Sequence, residues 1–359
     1  MTDNQYKLNE QLFNVIADEK VSDEARLKKV KYLVYLGADE NAMLYGKSLL
    51  SKAIEQNVGI EVQNFLREKG ANEWVISKEE ALELGEGFWN DNGCLKSLEE
   101  IKELLKKGAD VNASYKYGDT ALTRAAIDGQ LDVVKCLVEL GADLEAKDRY
   151  GQTALMTAAR GGHLEVVKYL FENGADVHQK DKDIDGWTAL IGAANEGHLE
   201  VVKWLVENGA DLEEKNKDGE TALMKAAKCG ALDVIKYLAE CGADLEAKNK
   251  DGETALMKAA IWGQLDAVKY LAECGADLEA KDKDGETALM KAAIWGHIEV
   301  VKYLAECGVD MEAKDVNGDT ALDIAKNRKR HDCVEFLEEL QQKEKGNWKI
   351  WQRMFGGRD

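Results

Sequence analysis

The 359-residue chain carries 48 Lys and Arg against 68 Asp and Glu, a formal net charge of −20. That balance argues against direct nucleic-acid binding, which needs basic side chains to neutralise phosphates. Proline is absent, which argues against Pro-rich linkers and turn-rich β-sandwiches, while 45% hydrophobic and 32% charged residues fit helices with a solvated surface.

The N-terminus, MTDNQYKLNEQLFNVIADEK, has no basic-flanked apolar run or small-residue cleavage site, so no signal peptide is expected. No stretch approaches the roughly 18–20 apolar residues of a membrane span. Seven cysteines, an odd number, read as reduced thiols and place the protein in the cytoplasm. VKYLVYLGAD (Val30–Asp39), then KSLLSKAIEQ with NFLREKGAN, form two diverged two-helix units. A third unit spans Ser77 to Asp110, with capping boxes at Ser77-x-x-Glu80 and Ser97-x-x-Glu100.

From Tyr115 onward one unit is written repeatedly. Thr-Ala-Leu recurs at Thr120, Thr153, Thr188, Thr221, Thr254, Thr287 and Thr320, in steps of 33 with a single step of 35. Each threonine predicts the N-cap of a short helix with small alanines on its buried side. In the unit starting at Thr254, Gly263 breaks that helix and Leu265, Val268 and Leu271 give a second its apolar stripe. Gly275 follows at the C-cap, and ADLEAKDKDGE reads as a β-hairpin finger reaching the next unit. So small a unit buries its apolar face only by stacking on neighbours.

Motif and period resemble the ankyrin repeat, over nearly the whole chain. Thr-Ala-Leu departs from that family's Thr-Pro-Leu-His, losing a preorganised helix start and a turn hydrogen bond and gaining helix propensity. The resemblance implies an α-solenoid of stacked ankyrin repeats, each a helix pair plus a hairpin finger, about ten pairs in one continuous curved array. The expected division is 1–112 diverged repeats, 113–341 regular repeats with a capping unit, and 342–359 a basic aromatic tail. A separate N-terminal domain is the alternative.

Sites of chemistry are scarce. H-E-x-x-H, C-x-x-C, G-x-S-x-G and P-loop patterns are missing from the sequence. His163, His198 and His297 share one slot after glycine, a structural position in this family. Cys241, Cys274 and Cys307 recur every 33 residues, too far apart in a stack to bridge and too linear for zinc. The sequence thus predicts neither catalysis, cofactor nor metal.

Binding is the expectation that remains. The resemblance implies a concave face lined by finger tips and the exposed end of each first helix. The two residues after Ala-Ala vary between Arg160-Gly161, Asn195-Glu196, Lys228-Cys229, Ile261-Trp262 and Ile294-Trp295. The scaffold therefore does not require an aromatic there. Trp262 and Trp295 read either as partner anchors or as seam fillers between near-identical units. Tyr117, Tyr150 and Trp187 mark finger tips, the last following a two-residue insertion. Asp119, Glu220, Glu253 and Glu286, with Glu196 and Arg160, would complete an acidic, aromatic-lined groove for a basic protein. Residues 116–314 hold 24 basic and 38 acidic side chains, so the acid is concentrated there.

The tail, KEKGNWKIWQRMFGGRD, reads as a cap on the last unit, a partner-binding helix or a membrane-surface segment. The expected protein is a monomeric, non-catalytic adaptor or stoichiometric, immunity-type inhibitor. Alternatives are an acidic mimic filling the nucleic-acid site of another protein, and a non-catalytic subunit of an enzyme complex.

Overall fold

The computed structural model describes residues 27–31, 43–44, 47–48, 87–90, 95–106, 109–115, 118–181 and 185–342. The chain forms two compact units, Met1–Leu122 with Lys135–Asp143, and Thr123–Val134 with Leu144–Asp359.

In the first unit, β1 (Met43–Leu44) and β2 (Lys47–Ser48) pair antiparallel, with Met43 opposite Ser48. Helix α1 (Leu98–Lys106) starts from the capping box expected at Ser97. The Ser97 N–H donates to Glu100 Oε2 at 3.1 Å and the Glu100 N–H donates back to Ser97 Oγ at 3.4 Å. Phe88 is fully buried, and Trp89 stacks on Tyr115 with ring centroids 5.1 Å apart. The box at Ser77 and most of the diverged units lie outside the described residues, as does the tail, so the ten-pair count extends beyond what is described.

The regular repeats form seven helix pairs among the described residues. Their first helices are α2 (Ala121–Ile127), α4 (Ala154–Arg160), α6 (Ala189–Glu196), α8 (Ala222–Cys229), α10 (Ala255–Ile261), α12 (Ala288–Trp295) and α14 (Ala321–Asn327). Their second helices are α3 (Leu131–Glu139), α5 (Leu164–Glu172), α7 (Leu199–Glu207), α9 (Leu232–Glu240), α11 (Leu265–Glu273), α13 (Ile298–Glu306) and α15 over 331–342.

The threonines start the first helices as the sequence predicts. Thr254 is extended (φ −91°, ψ 173°), and its side chain accepts from the Met257 N–H at 3.4 Å. Thr320 closes a full capping box with Asp323. Ala255, Leu256, Met257, Ala259 and Ala260 are buried, because α10 packs between α8 and α12 while resting on α11. The alanines let the helices approach, and each buried leucine contributes roughly 1.5–3 kcal/mol. The second helices bury one face, for example Val166, Val167 and Leu170 on α5, and leave the other in solvent. From α4 onward the second unit is a helical repeat solenoid.

The fingers differ from the expected hairpins. The array has no β-strand among its described residues, and a buried Asx side chain explains why. Asn216 Oδ1 accepts the N–H groups of Asp218 at 2.9 Å and Glu220 at 2.8 Å. With those donors consumed, two backbone bonds close the finger, from Asn216 N–H to the Glu220 carbonyl and from Gly219 N–H to the Asn216 carbonyl, each at 3.0 Å. Asn249 and Asp282 repeat the device in the next fingers. Adjacent fingers are joined tip to tip, the Lys250 N–H donating to the Asp218 carbonyl at 2.8 Å. Gly219 makes that approach possible: its φ is +78°, and a Cβ there would meet Lys250 N at 3.0 Å.

Candidate functional site

The sequence-predicted residues fall at two ends of the first helices rather than in one groove. Arg160, Glu196, Ile261-Trp262 and Ile294-Trp295 lie at the C-terminal ends of α4, α6, α10 and α12. Tyr150, Trp187, Glu220, Glu253 and Glu286 precede the N-caps of their units. A helix of seven or eight residues separates the ends by about 10–12 Å.

At the C-terminal end, Trp262 and Trp295 are 51% and 54% exposed. Ile261 and Ile294, the residues before them, are half-buried, and Lys228 places its Nζ 4.8 Å from the centre of the Trp262 ring. These residues stand on consecutive stacked helices, α8, α10 and α12. They form a ledge with two shallow depressions. One is lined by Trp295, Gly296, Arg330, His331, Asp332 and Cys333. The other lies on the Glu196 side, among Asn195, Gly197, Cys229, Ala231 and Asp233. Glu196 is exposed, and half-buried Arg160 turns its backbone carbonyl toward the next unit.

At the other end the rim reading needs correction. Glu220 and Glu253 are buried, and Glu286 is largely covered, because lysines from the first helices neutralise them. Lys225 pairs with Glu220 in its own unit. Lys258 Nζ lies 3.0 Å from Glu220 and 3.1 Å from Glu253, so it bridges two units. Lys291 reaches Asp282 at 2.6 Å and Glu286 at 2.5 Å, with Glu253 at 3.8 Å. Burial by itself raises the Glu220 carboxyl. Hydrogen bonds and charge from Lys225 and Lys258 outweigh it and hold that carboxyl at about 2. The result is an ionic ladder inside the array, not a surface for a partner.

Trp187 occupies in its unit the position that Glu220 holds in the next. It is half-buried, and Lys225 Nζ sits 5.0 Å from its ring centre, where Lys258 would meet a carboxylate one unit on. The indole is thus the N-terminal rung of the ladder rather than a finger-tip anchor. At the far end Ile324 replaces the lysine. Sequence reasoning missed the ladder, although Glu220, Glu253 and Glu286 each stand five residues before Lys225, Lys258 and Lys291.

Tyr150 is 39% exposed with the Arg149 guanidinium 4.6 Å over its ring. Asp119 is half-buried, and its carbonyl accepts the Tyr115 N–H at 2.9 Å. Tyr117 lies outside the described residues. Exposed acid remains at Asp218, Asp251 and Asp284.

The histidines close seams between units. His163, His198 and His297 donate through Nε2 to the carbonyls of Ile127, Arg160 and Ile261, each at 2.9 Å. Gln264 and Arg330 do the same to Lys228 at 3.2 Å and Ile294 at 2.9 Å. Cysteines 136, 229, 241, 274, 307 and 333 are thiols. Asp282, Asp284 and Glu286 gather three carboxylates within 4.8 Å, and the Lys291 ammonium already supplies the positive charge at Asp282 and Glu286. No helix among the described residues is long and apolar enough to cross a membrane.

A family model described as ankyrin repeats (3 copies) matches residues 93–181, 151–216, 190–282, 241–315 and 274–345. These blocks overlap into one stretch, 93–345, which is more than half of the chain. No curated protein matches it significantly.

Proposed function

The chain belongs to the ankyrin-repeat family, whose members are protein-interaction modules, and on that premise we propose that it holds a basic protein partner on the helix-end ledge. It acts without catalysis, as an adaptor or a stoichiometric inhibitor of the immunity type. The observation that carries this reading is the exposure of Trp262 and Trp295, 51% and 54%, in slots that other units fill with Glu196 or Cys229. Packing therefore does not demand indoles there. Adjacent exposed indoles, each following a half-buried isoleucine, suit apolar anchors of a partner, and the net charge of −20 suits a basic one.

The test is the double substitution Trp262→Ala with Trp295→Ala, on a partner captured by the full chain and identified. Affinity should fall by roughly 2–4 kcal/mol or more. Folding stability should change less, because truncating a buried aromatic costs about 3–5 kcal/mol and these rings are half in water. Unchanged affinity with a large loss of stability would make the indoles seam fillers and end the proposal.

A further inference from the structure

Among the described units, each seam between consecutive first helices is closed by the same arrangement, with one exception. A left-handed glycine at the end of one helix faces a hydrogen-bond donor from the following unit. A Cβ at Gly162 would lie 2.6 Å from His198 Nδ1, at Gly263 2.5 Å from His297 Nδ1, and at Gly230 2.3 Å from Gln264 Oε1. At Gly296 the occupant is Arg330, with Cδ 2.9 Å from the same point and Nε on the Ile294 carbonyl at 2.9 Å. At Gly197 the following unit offers Ala231, whose Cβ is 3.4 Å away and is the sole heavy atom within 4 Å. Here that space receives no donor side chain and opens onto a depression bounded by Asn195, Glu196, Cys229, Ala231 and Asp233, whereas the equivalent depression at Gly296 is lined by Arg330.

We propose that an arginine side chain of a partner protein completes this seam, lying against Gly197 and donating to the Asn195 carbonyl. Three observations select arginine. The Asn195 carbonyl stands where the other seams present the acceptor, so the occupant must donate. Arg330 shows that a guanidinium and its methylenes fit this geometry, even at the start of a following helix. Two carboxylates, Glu196 and Asp233, line the depression and favour a cationic donor. The depression lies on the Trp262 and Trp295 ledge, so the inference extends the protein-binding reading by naming a second contact. Its test needs no partner.

Cys229 borders the space, its Sγ 3.5 Å from Asn195 Oδ1, and reports on occupancy. Alkylation of the native chain by iodoacetamide is followed at each cysteine by peptide mass spectrometry. The probe is N-acetyl-arginine amide, compared with its citrulline counterpart. Expected is a saturable, several-fold slowing at Cys229 with arginine, none with citrulline, and none at exposed Cys241. Ala231→His and Ala231→Gln, which copy occupants of the other seams, should abolish the arginine effect. The Trp262→Ala, Trp295→Ala chain should keep it, so this contact and the indole anchors fail separately. No saturable slowing at Cys229, equal slowing by citrulline, or slowing that persists in both Ala231 variants would overturn the assignment.

Discussion

Glu220→Gln is the sharpest probe of the internal ladder, because it removes one charge and preserves shape. The Glu220 side chain is 6% exposed, held by Lys225, by Lys258 at 3.0 Å and by the Asn216 amide at 3.3 Å. Its carboxyl is held at about 2 against an ordinary 4.5. That difference corresponds to about 3 kcal/mol of native-state stabilisation at neutral pH, at 1.36 kcal/mol per unit. Lys258 retains Glu253 at 3.1 Å, and Lys225 retains the Trp187 ring, so the loss should not greatly exceed that figure. The sign follows from a depressed carboxyl. The stabilisation is complete above pH 4.5 and disappears as pH falls through about 2, where the protonated acid resembles glutamine. Native-state hydrogen exchange in α8 and α10, measured on both chains from neutral pH downward, reads the difference locally. Below pH 4.5 the two curves should converge. A gap that is negligible at neutral pH, or that stays constant into acid, would refute the ladder's role. Glu200→Gln, at an exposed pair with Lys203, is the control and should change neither curve.

Further outcomes follow from the seams, turns and thiols. His297→Ala should cost about 1–2 kcal/mol in denaturant titration, by removing the bond to the Ile261 carbonyl and leaving that acceptor beside a void. A null result there would make the imidazole a passenger. Gly275→Ala should cost about 1–2 kcal/mol although a Cβ meets nothing within 4 Å, since φ is +91°. An unchanged midpoint would refute that backbone argument. Thr254→Ala should cost about 1 kcal/mol through its lost cap, seen as faster exchange in the first turn of α10. Thiol titration of the denatured, unreduced chain should find nearly all seven cysteines, and two or more disulfides would contradict it.

The threonine caps and the Ser97 box were legible in the sequence because each rests on residues within one turn of each other, and the helix pairs because the unit recurs. The sequence leaves open whether Trp262 and Trp295 are exposed or fill a seam, and the structure leaves them half in water. The fingers were misread because alternating polar residues resemble a hairpin until the buried Asn216 is seen taking the ladder's donors. Glu220 and Glu253 were misplaced for a related reason. A carboxylate before a helix cap looks solvated, and its covering lysine stands 38 residues away in Lys258. The signal lay in comparing slots. Glu occurs before the threonine only in units that carry Lys four residues after it, and Trp187 takes the glutamate's place where the preceding rung ends. The linking role of repeated DLEAK was invisible for the same reason: Glu246 accepts the Asp277 N–H at 2.8 Å, 31 residues on, and Lys248 donates to the Lys281 carbonyl at 2.8 Å, 33 residues on.

The gap at Gly197 and Ala231 also has a mechanical meaning. A solenoid pulled from its ends loads its junctions in series, so extension begins where the fewest strong bonds must break together. The α8–α10 and α10–α12 junctions each combine a donor side chain on a carbonyl with charge pairs across the boundary. The α6–α8 junction has alanine in place of the donor and an indole in place of the carboxylate. Of these three junctions it has the fewest such bonds at the first helices, so under tension it should part before the other two, and a partner's arginine seated there would act as a rivet. Force spectroscopy would then register binding as a higher first rupture, with later ruptures unmoved.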